Sequence, residues 1–154
     1  MRDVVHFRVY CDAAGKRRYY KVFIFRTEEQ MYEHFKKTNT QSRWKRGGIG
    51  KLNFVAVCQG YRRYDVKRRG RLLPDIGQIL FTADRLGAGV VSHEMTHAVI
   101  YWADTHTKID LAKIASSTRT DERIALVQGN LVNQFWSKFY KACERVAWAK
   151  KAIK

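Results

Sequence analysis

Proline is almost missing from this 154-residue chain: Pro74 stands alone and marks a turn. There is no Pro-rich tract, internal repeat or linker-like stretch, so residues 1–154 are expected to form one domain, large enough to bury its own core. Cysteine is scarce as well. Cys11, Cys58 and Cys143 are odd in number, widely spaced and free of any Cys-x-x-Cys. That excludes a disulfide framework and a cysteine zinc cluster, and reads as buried thiols in a reducing compartment. No run of about 18 uncharged apolar residues exists to span a bilayer. The start of the chain (Arg2, Asp3, then strand-like Val4 and Val5) lacks a signal-peptide core. These absences together predict a cytoplasmic protein with no membrane partner.

Acidic residues are the last deficit. Asp and Glu number 14 against 30 Lys and Arg, a net charge of +16, while 45% apolar and 13% aromatic content exclude a disordered chain. The excess is uneven: residues 1–73 carry 19 Lys and Arg against 6 Asp and Glu, residues 74–154 carry 11 against 8. Dense basic runs (Arg17-Arg18, Arg43-Trp44-Lys45-Arg46, Arg62-Arg63 and Lys67-Arg68-Arg69) interleave with Tyr19, Tyr20, Tyr61 and Tyr64. Cationic side chains neutralise phosphates and aromatic rings stack on bases, so Arg17, Arg18, Arg43, Trp44, Arg46, Arg62, Arg63, Lys67, Arg68 and Arg69 are candidate contacts to DNA or RNA. A solvated basic surface, serving solubility or an acidic protein partner, explains the same charge equally well.

The nearly balanced half contains His93-Glu94-Met95-Thr96-His97. On a helix this spacing stacks two imidazoles at i and i+4 on one face, where they can close on a single zinc ion. Glu94, about 100° round the helix, is placed to work on a water rather than to ligate. The flanks, Val90-Val91-Ser92 and Ala98-Val99-Ile100-Tyr101-Trp102-Ala103, are apolar nearly all round, as in a helix buried in a core. There, unpaired polar side chains would cost several kcal/mol, about what a metal and its water would relieve. Gly87 and Gly89 fit a turn leading into this helix.

A hydrolytic zinc site takes three protein ligands and keeps a fourth position for water. Asp104, His106, Asp121 and Glu122 are the downstream candidates for the third. Glu122 is preferred: it sits in the first turn of a long helical segment behind a candidate N-cap, Thr120. Ala125 and Gly129 follow on its face and would let that helix approach the motif helix closely. Asp121 suits the helix dipole or a hydrogen bond to a liganding histidine. Tyr101, His106 and Tyr140 are candidates for stabilising an oxyanion.

Around the motif, the pattern predicts an α+β fold: a mostly antiparallel sheet packed on the motif helix and a long C-terminal helix. Residues 4–10 and 18–25 alternate as a hairpin. Thr27-Glu28-Glu29-Gln30 is a capping box opening a helix to about Lys37, with Met31, Tyr32 and Phe35 inward. Residues 38–50 form a basic loop that is not a phosphate-binding P-loop, because Leu52 follows Gly50-Lys51 and no strand leads in. Residues 52–58 and 61–66 suggest a second hairpin, 75–82 a last strand, and 109–116 a short helix. Residues 120–151 suggest one long helix with a stripe of Ile124, Val127, Leu131, Phe135, Phe139 and Val146.

His93, Glu94 and His97, followed by Asp121-Glu122-Arg123-Ile124-Ala125 and Gly129-Asn130-Leu131, resemble the zincin metallopeptidases of gluzincin type, in particular small bacterial and phage ImmA/IrrE-like metallopeptidases. The resemblance spans residues 76–140. It implies a zinc cofactor on His93, His97 and Glu122, with Glu94 as general base in the hydrolysis of a protein or peptide. It also implies a cleft lined by the strand before the motif helix, residues 78–82, pairing with extended substrate. His93-Glu94-Met95-Thr96-His97-Ala98 also resembles the SprT-like DNA-associated proteases, for which His106 would be the third ligand, although theirs lies farther along. A metzincin pattern fails at Ile100 and Ala103, where it needs glycine and histidine. Three functions are therefore open: an intracellular zinc endopeptidase, a nucleic-acid-binding protein with a structural or vestigial zinc site, and an interaction module on a peptidase fold.

Overall fold

A computed structural model of the protein describes residues 4–11, 18–38, 55–62, 64–65, 71–112 and 118–152. Strand β1 (Val4–Tyr10) pairs antiparallel with β2 (Tyr19–Phe25), the hairpin expected from alternation. Helix α1 (Glu28–Thr38) follows, opened by the capping box: the Gln30 amide donates to Thr27 Oγ1 at 3.4 Å and Gln30 Oε1 accepts from the Arg26 amide at 3.2 Å. Met31 and Phe35 are buried and Tyr32 is half-buried.

The remaining strands are β3 (Ala56–Gly60), β4 (Tyr64–Asp65), β5 (Arg71–Leu72) and β6 (Asp75–Thr82). The sheet order is β1-β2-β6-β3, with β2 and β6 parallel and the other two pairs antiparallel. It is thus a mixed sheet in an α+β fold. The second hairpin expected between residues 52–58 and 61–66 does not form: β3 pairs with β6, and Tyr64–Asp65 pairs with Arg71–Leu72 in a separate ladder. Side-chain matching accounts for the β3–β6 register. Gln78 Nε2 donates to Gln59 Oε1 at 2.9 Å, and Gly60 lies opposite Gly77. A Cβ on Gly77 would stand 2.4 Å from both the Gln59 carbonyl oxygen and the Tyr20 ring, so only glycine lets the strands close here.

A short 3₁₀ turn (Ala83–Arg85) leads to the motif helix α2 (Ala88–His106), which begins at Gly87. Helix α3 (Thr118–Cys143) then packs against α2 and β1. It starts two residues before Thr120, which is therefore inside its first turn and not its N-cap. The expected single C-terminal helix is broken: tight bonds from Arg145 to the Ala142 carbonyl (3.1 Å) and Val146 to the Cys143 carbonyl (3.2 Å) turn the chain into α4 (Ala147–Ala152). The turn brings Ala149 into the main core. Of the predicted stripe, Val127, Leu131 and Phe135 are buried. No helix among the described residues is long and apolar enough to cross a membrane.

Strand β6 is buried at all eight positions because helices cover both faces. Val22, Ile24, Ile79 and Phe81 pack with Met95, Trp102, Leu131 and Phe135 on the α2–α3 side. Phe25, Leu80, Met31 and Phe35 form a smaller core under α1. The two edges of the sheet differ. Gln134 on α3 imitates a neighbouring strand for β1, accepting from the Tyr10 amide at 3.0 Å and donating to the Tyr10 carbonyl at 2.9 Å. Lys138 donates to the Arg8 carbonyl at 2.8 Å. Such capping opposes edge-to-edge pairing at the Arg8–Tyr10 end of β1. At the other edge, β3 lies alongside α2.

Under α1, His34 sits 4.7 Å from the Phe23 ring and 5.2 Å from Phe25, and its Nε2 donates to Gln78 Oε1 at 3.3 Å. Burial lowers its pKa below the ordinary imidazole value; the Gln78 bond opposes this and Lys37 adds to it. A folded-state pKa below the unfolded one means the unfolded chain binds the proton more readily. The stabilisation is full above about pH 6.5 and is lost as pH falls through the folded pKa. Thermal melts should therefore show the native protein losing more Tm between pH 7 and 5 than His34→Gln; parallel curves would contradict this placement.

Candidate metal centre

Helix α2 exposes a narrow seam. At about 100° per residue, His93, His97, Ile100 and Asp104 fall within roughly 60° of one another, and all four are exposed. Met95, Ala98, Val99 and Trp102 take the opposite face into the core. The helix is therefore not buried all round, as its flanks suggest, and its histidines face outward. Their Nε2 atoms lie 3.1 Å apart, with ring planes at 82°. Two imidazole nitrogens bound to one tetrahedral zinc at 2.0–2.1 Å would stand roughly 3.3 Å apart, so the pair fits such an ion.

Glu94 turns from this seam toward β3 and is only 6% exposed. Its carboxylate lies near the Cys58 amide of the edge strand. Burial pushes its pKa above the usual carboxylate range; His97, His93 and the Cys58 amide pull the other way. The Cys58 thiol is pushed up by burial first and by Glu94 second. Between α2 and β3 lies a cleft of about 550 Å³ whose walls include Ala56, Cys58, Gly60, His93, Glu94, His97, Ile100, Tyr101, Asp104 and Leu111.

Several contacts hold α2 in place. Thr96 bonds back to the Ser92 carbonyl at 2.9 Å, and Gln128 of α3 donates to Thr96 Oγ1 at 2.7 Å, fastening the motif turn to its neighbour. Tyr20 donates to the Ala98 carbonyl at 2.9 Å. At the C-terminal end, Arg18 donates to the His106 carbonyl and Arg62 to the Thr105 carbonyl at 3.2 Å, both favoured by the negative end of the helix dipole. Two candidate nucleic-acid contacts thus have work inside the fold. Arg17, Arg43, Trp44, Arg46, Arg63, Lys67, Arg68 and Arg69 lie outside the described residues.

The other candidates disperse. His106 comes nine residues after His97 on one helix, about 180° round, and is buried on the core side with its ring 5.8 Å from Tyr101. Glu122 and Asp121 are exposed in the first turns of α3 and outside the cleft walls. Ala125 and Gly129 also face solvent, and a Cβ on Gly129 would meet nothing within 4 Å, so the small residues do not set the α2–α3 approach. Asp104 lines the cleft, but seven residues of helix put it about 10 Å beyond His97. Tyr140 lines a separate pocket with Trp136, Phe139 and Trp148. Tyr101 alone of the three oxyanion candidates lies in the cleft. Among the described residues, no group of three or more His, Cys, Asp or Glu side chains is arranged to hold a metal.

The strand expected to line the cleft, residues 78–82, belongs to β6, whose two edges are taken by β2 and β3. The edge strand β3 lines it instead. That role was hidden because pairing order is a long-range property, and nothing local to residues 56–60 announces an edge. No family model, curated protein or solved structure matches this chain.

Gly60 shapes the cleft wall. A Cβ there would lie 2.3 Å from the Tyr101 ring, which rests directly on the strand. In an uncrowded strand Gly→Ala would be neutral or stabilising. Here Gly60→Ala should cost about 1–3 kcal/mol in urea unfolding by displacing Tyr101; an unchanged or raised stability would contradict the close approach.

Proposed function

We propose that this protein is a zinc-dependent endopeptidase in which His93 and His97 hold the ion and Glu94 is the general base. The observation that carries the reading is the convergence of two imidazole nitrogens, 3.1 Å apart, beside a buried carboxylate at the mouth of a cleft. When bound, zinc supplies Lewis acidity, acidifying a water and polarising the scissile carbonyl. Glu94 takes the proton of the attacking water on a carboxylate oxygen and delivers it to the leaving amine. Its raised proton affinity, caused by burial, suits that exchange. An extended peptide would lie along β3, the strand beside the histidines, and pair through main-chain groups.

For the third protein ligand we retain Glu122, as the gluzincin resemblance implies, over His106. Glu122 is exposed on a helix packed against α2, whereas His106 is turned into the core. The burial of His106 supports the gluzincin reading over the SprT-like one. One observation favours a second reading, a binding module with a vestigial site: among the described residues no third metal-binding side chain is grouped with the histidines.

Metal analysis and a protease assay on an unfolded protein substrate separate the two. Zinc should bind stoichiometrically to the native protein and to Glu94→Gln and be lost from His93→Ala and Glu122→Ala. Hydrolysis should fall by about 10²- to 10⁴-fold in Glu94→Gln. Zinc retained in His93→Ala would remove the site, and equal rates in native and Glu94→Gln protein would leave only the binding module.

A further inference from the structure

Helix α1 covers only part of its face of the sheet. Phe23 and Phe25 of β2 lie under it with Leu80, whereas Tyr20 and Val22 join the core on the α2–α3 side. Alternation along β2 therefore puts Tyr19 and Lys21 on the α1 face, and strand pairing sets Tyr10 and Arg8 beside them. None of the four belongs to the core under α1; Arg8 is exposed and the other three are half-buried. The Tyr10 and Tyr19 rings are 5.8 Å apart, with the Arg8 guanidinium 4.5 Å over Tyr19 and Lys138 Nζ 4.7 Å over Tyr10. Residues 4–11 and 18–26 hold Arg8, Arg18, Lys21 and Arg26 and no Asp or Glu. The acidic neighbour on β6, Asp75, is neutralised by Lys21 at 2.6 Å. Arg8, Tyr10 and Lys138 belong to no basic run, so counting charge along the sequence misses them.

We propose that this patch binds single-stranded RNA, with bases stacking on the tyrosine pair and the Arg8 guanidinium and phosphates drawn to Arg8 and Lys138. Rings displayed on a sheet are met by splayed bases, and those of a duplex are already stacked and turned inward. Phosphates match the net positive charge; an acidic peptide would match it too but leave the rings unused. RNA is commonly recognised at unpaired loops and ends, and the tyrosine hydroxyls bring polar groups into the patch for a 2′-hydroxyl. Helix α2 packs on the opposite side of the sheet, so this binding needs no zinc.

Fluorescein-labelled oligo(U) of about 12 nucleotides is titrated with the full-length protein and followed by anisotropy. The same strand without bases, its deoxy counterpart and an RNA duplex of equal length are titrated beside it. Oligo(U) should bind at least about 10-fold tighter than the abasic strand and the duplex, and tighter than the deoxy strand. Tyr19→Leu, which keeps an apolar side chain in place, should weaken oligo(U) about 5-fold or more and leave the abasic strand unchanged. Arg8→Glu should weaken both strands and flatten the salt dependence. Arg26→Glu, the same charge change at the far end of β2, should do neither. Arg8 is exposed, so its variant keeps the test standing if Tyr19→Leu misfolds. No oligo(U) binding at low salt, or equal affinity for oligo(U) and the abasic strand (a general polyanion or acidic-protein surface), would overturn the patch. So would a preference for duplex, or equal losses in Arg8→Glu and Arg26→Glu. A deoxy strand bound as tightly as oligo(U) would overturn the assignment to RNA.

Discussion

The burial of the Glu94 carboxylate against the edge strand, near the Cys58 amide, joins the two halves of the candidate centre. It brings an acidic side chain of the motif helix to the edge strand of the sheet, in the wall of the cleft. With Glu94 turned that way, the helical spacing leaves His93 and His97 on the outward seam, where their nitrogens converge. Helix α2 is then fixed from the other sides by Tyr20 at Ala98, Gln128 at Thr96, and two arginines on its last carbonyls. A site on a helix restrained along its whole length holds its geometry better than one on a loop.

The two edges of the sheet are treated differently, and this gives the fold its direction. Gln134 and Lys138 occupy main-chain groups of Tyr10 and Arg8 at the end of β1. The edge at β3 runs beside the histidines, with its Cys58 amide near Glu94. The β1 edge is thus partly occupied by side chains of α3, whereas β3 borders the cleft that holds His93, Glu94 and His97.

Local rules were enough for much of this. The β1–β2 hairpin follows from period-two alternation, α1 from its capping box, and the histidine pair from i, i+4 stacking. What failed needed long-range knowledge. Strand β3 is short and sits among basic residues, and its partner β6 is chosen by the Gln59–Gln78 and Gly60–Gly77 matches rather than by proximity in sequence. Ala125 and Gly129 looked like a close-packing stripe, but α3 turns Val127, Leu131 and Phe135 inward instead, and the small residues are left in solvent. His106 could have been set aside from sequence had α2 been extended to it, since nine residues on one helix amount to half a turn more than two full ones. The basic charge was legible as a quantity but not as a role: Arg18 and Arg62 are engaged with helix carbonyls, a contact no charge count reveals.

The central claim is that His93 and His97 share one metal ion, and a crystal grown with zinc and measured on both sides of the zinc absorption edge tests it most directly. The account predicts an anomalous peak about 2.0–2.1 Å from both Nε2 atoms. Imidazoles hydrogen-bonded to each other, with no anomalous density between them at saturating zinc, would contradict it.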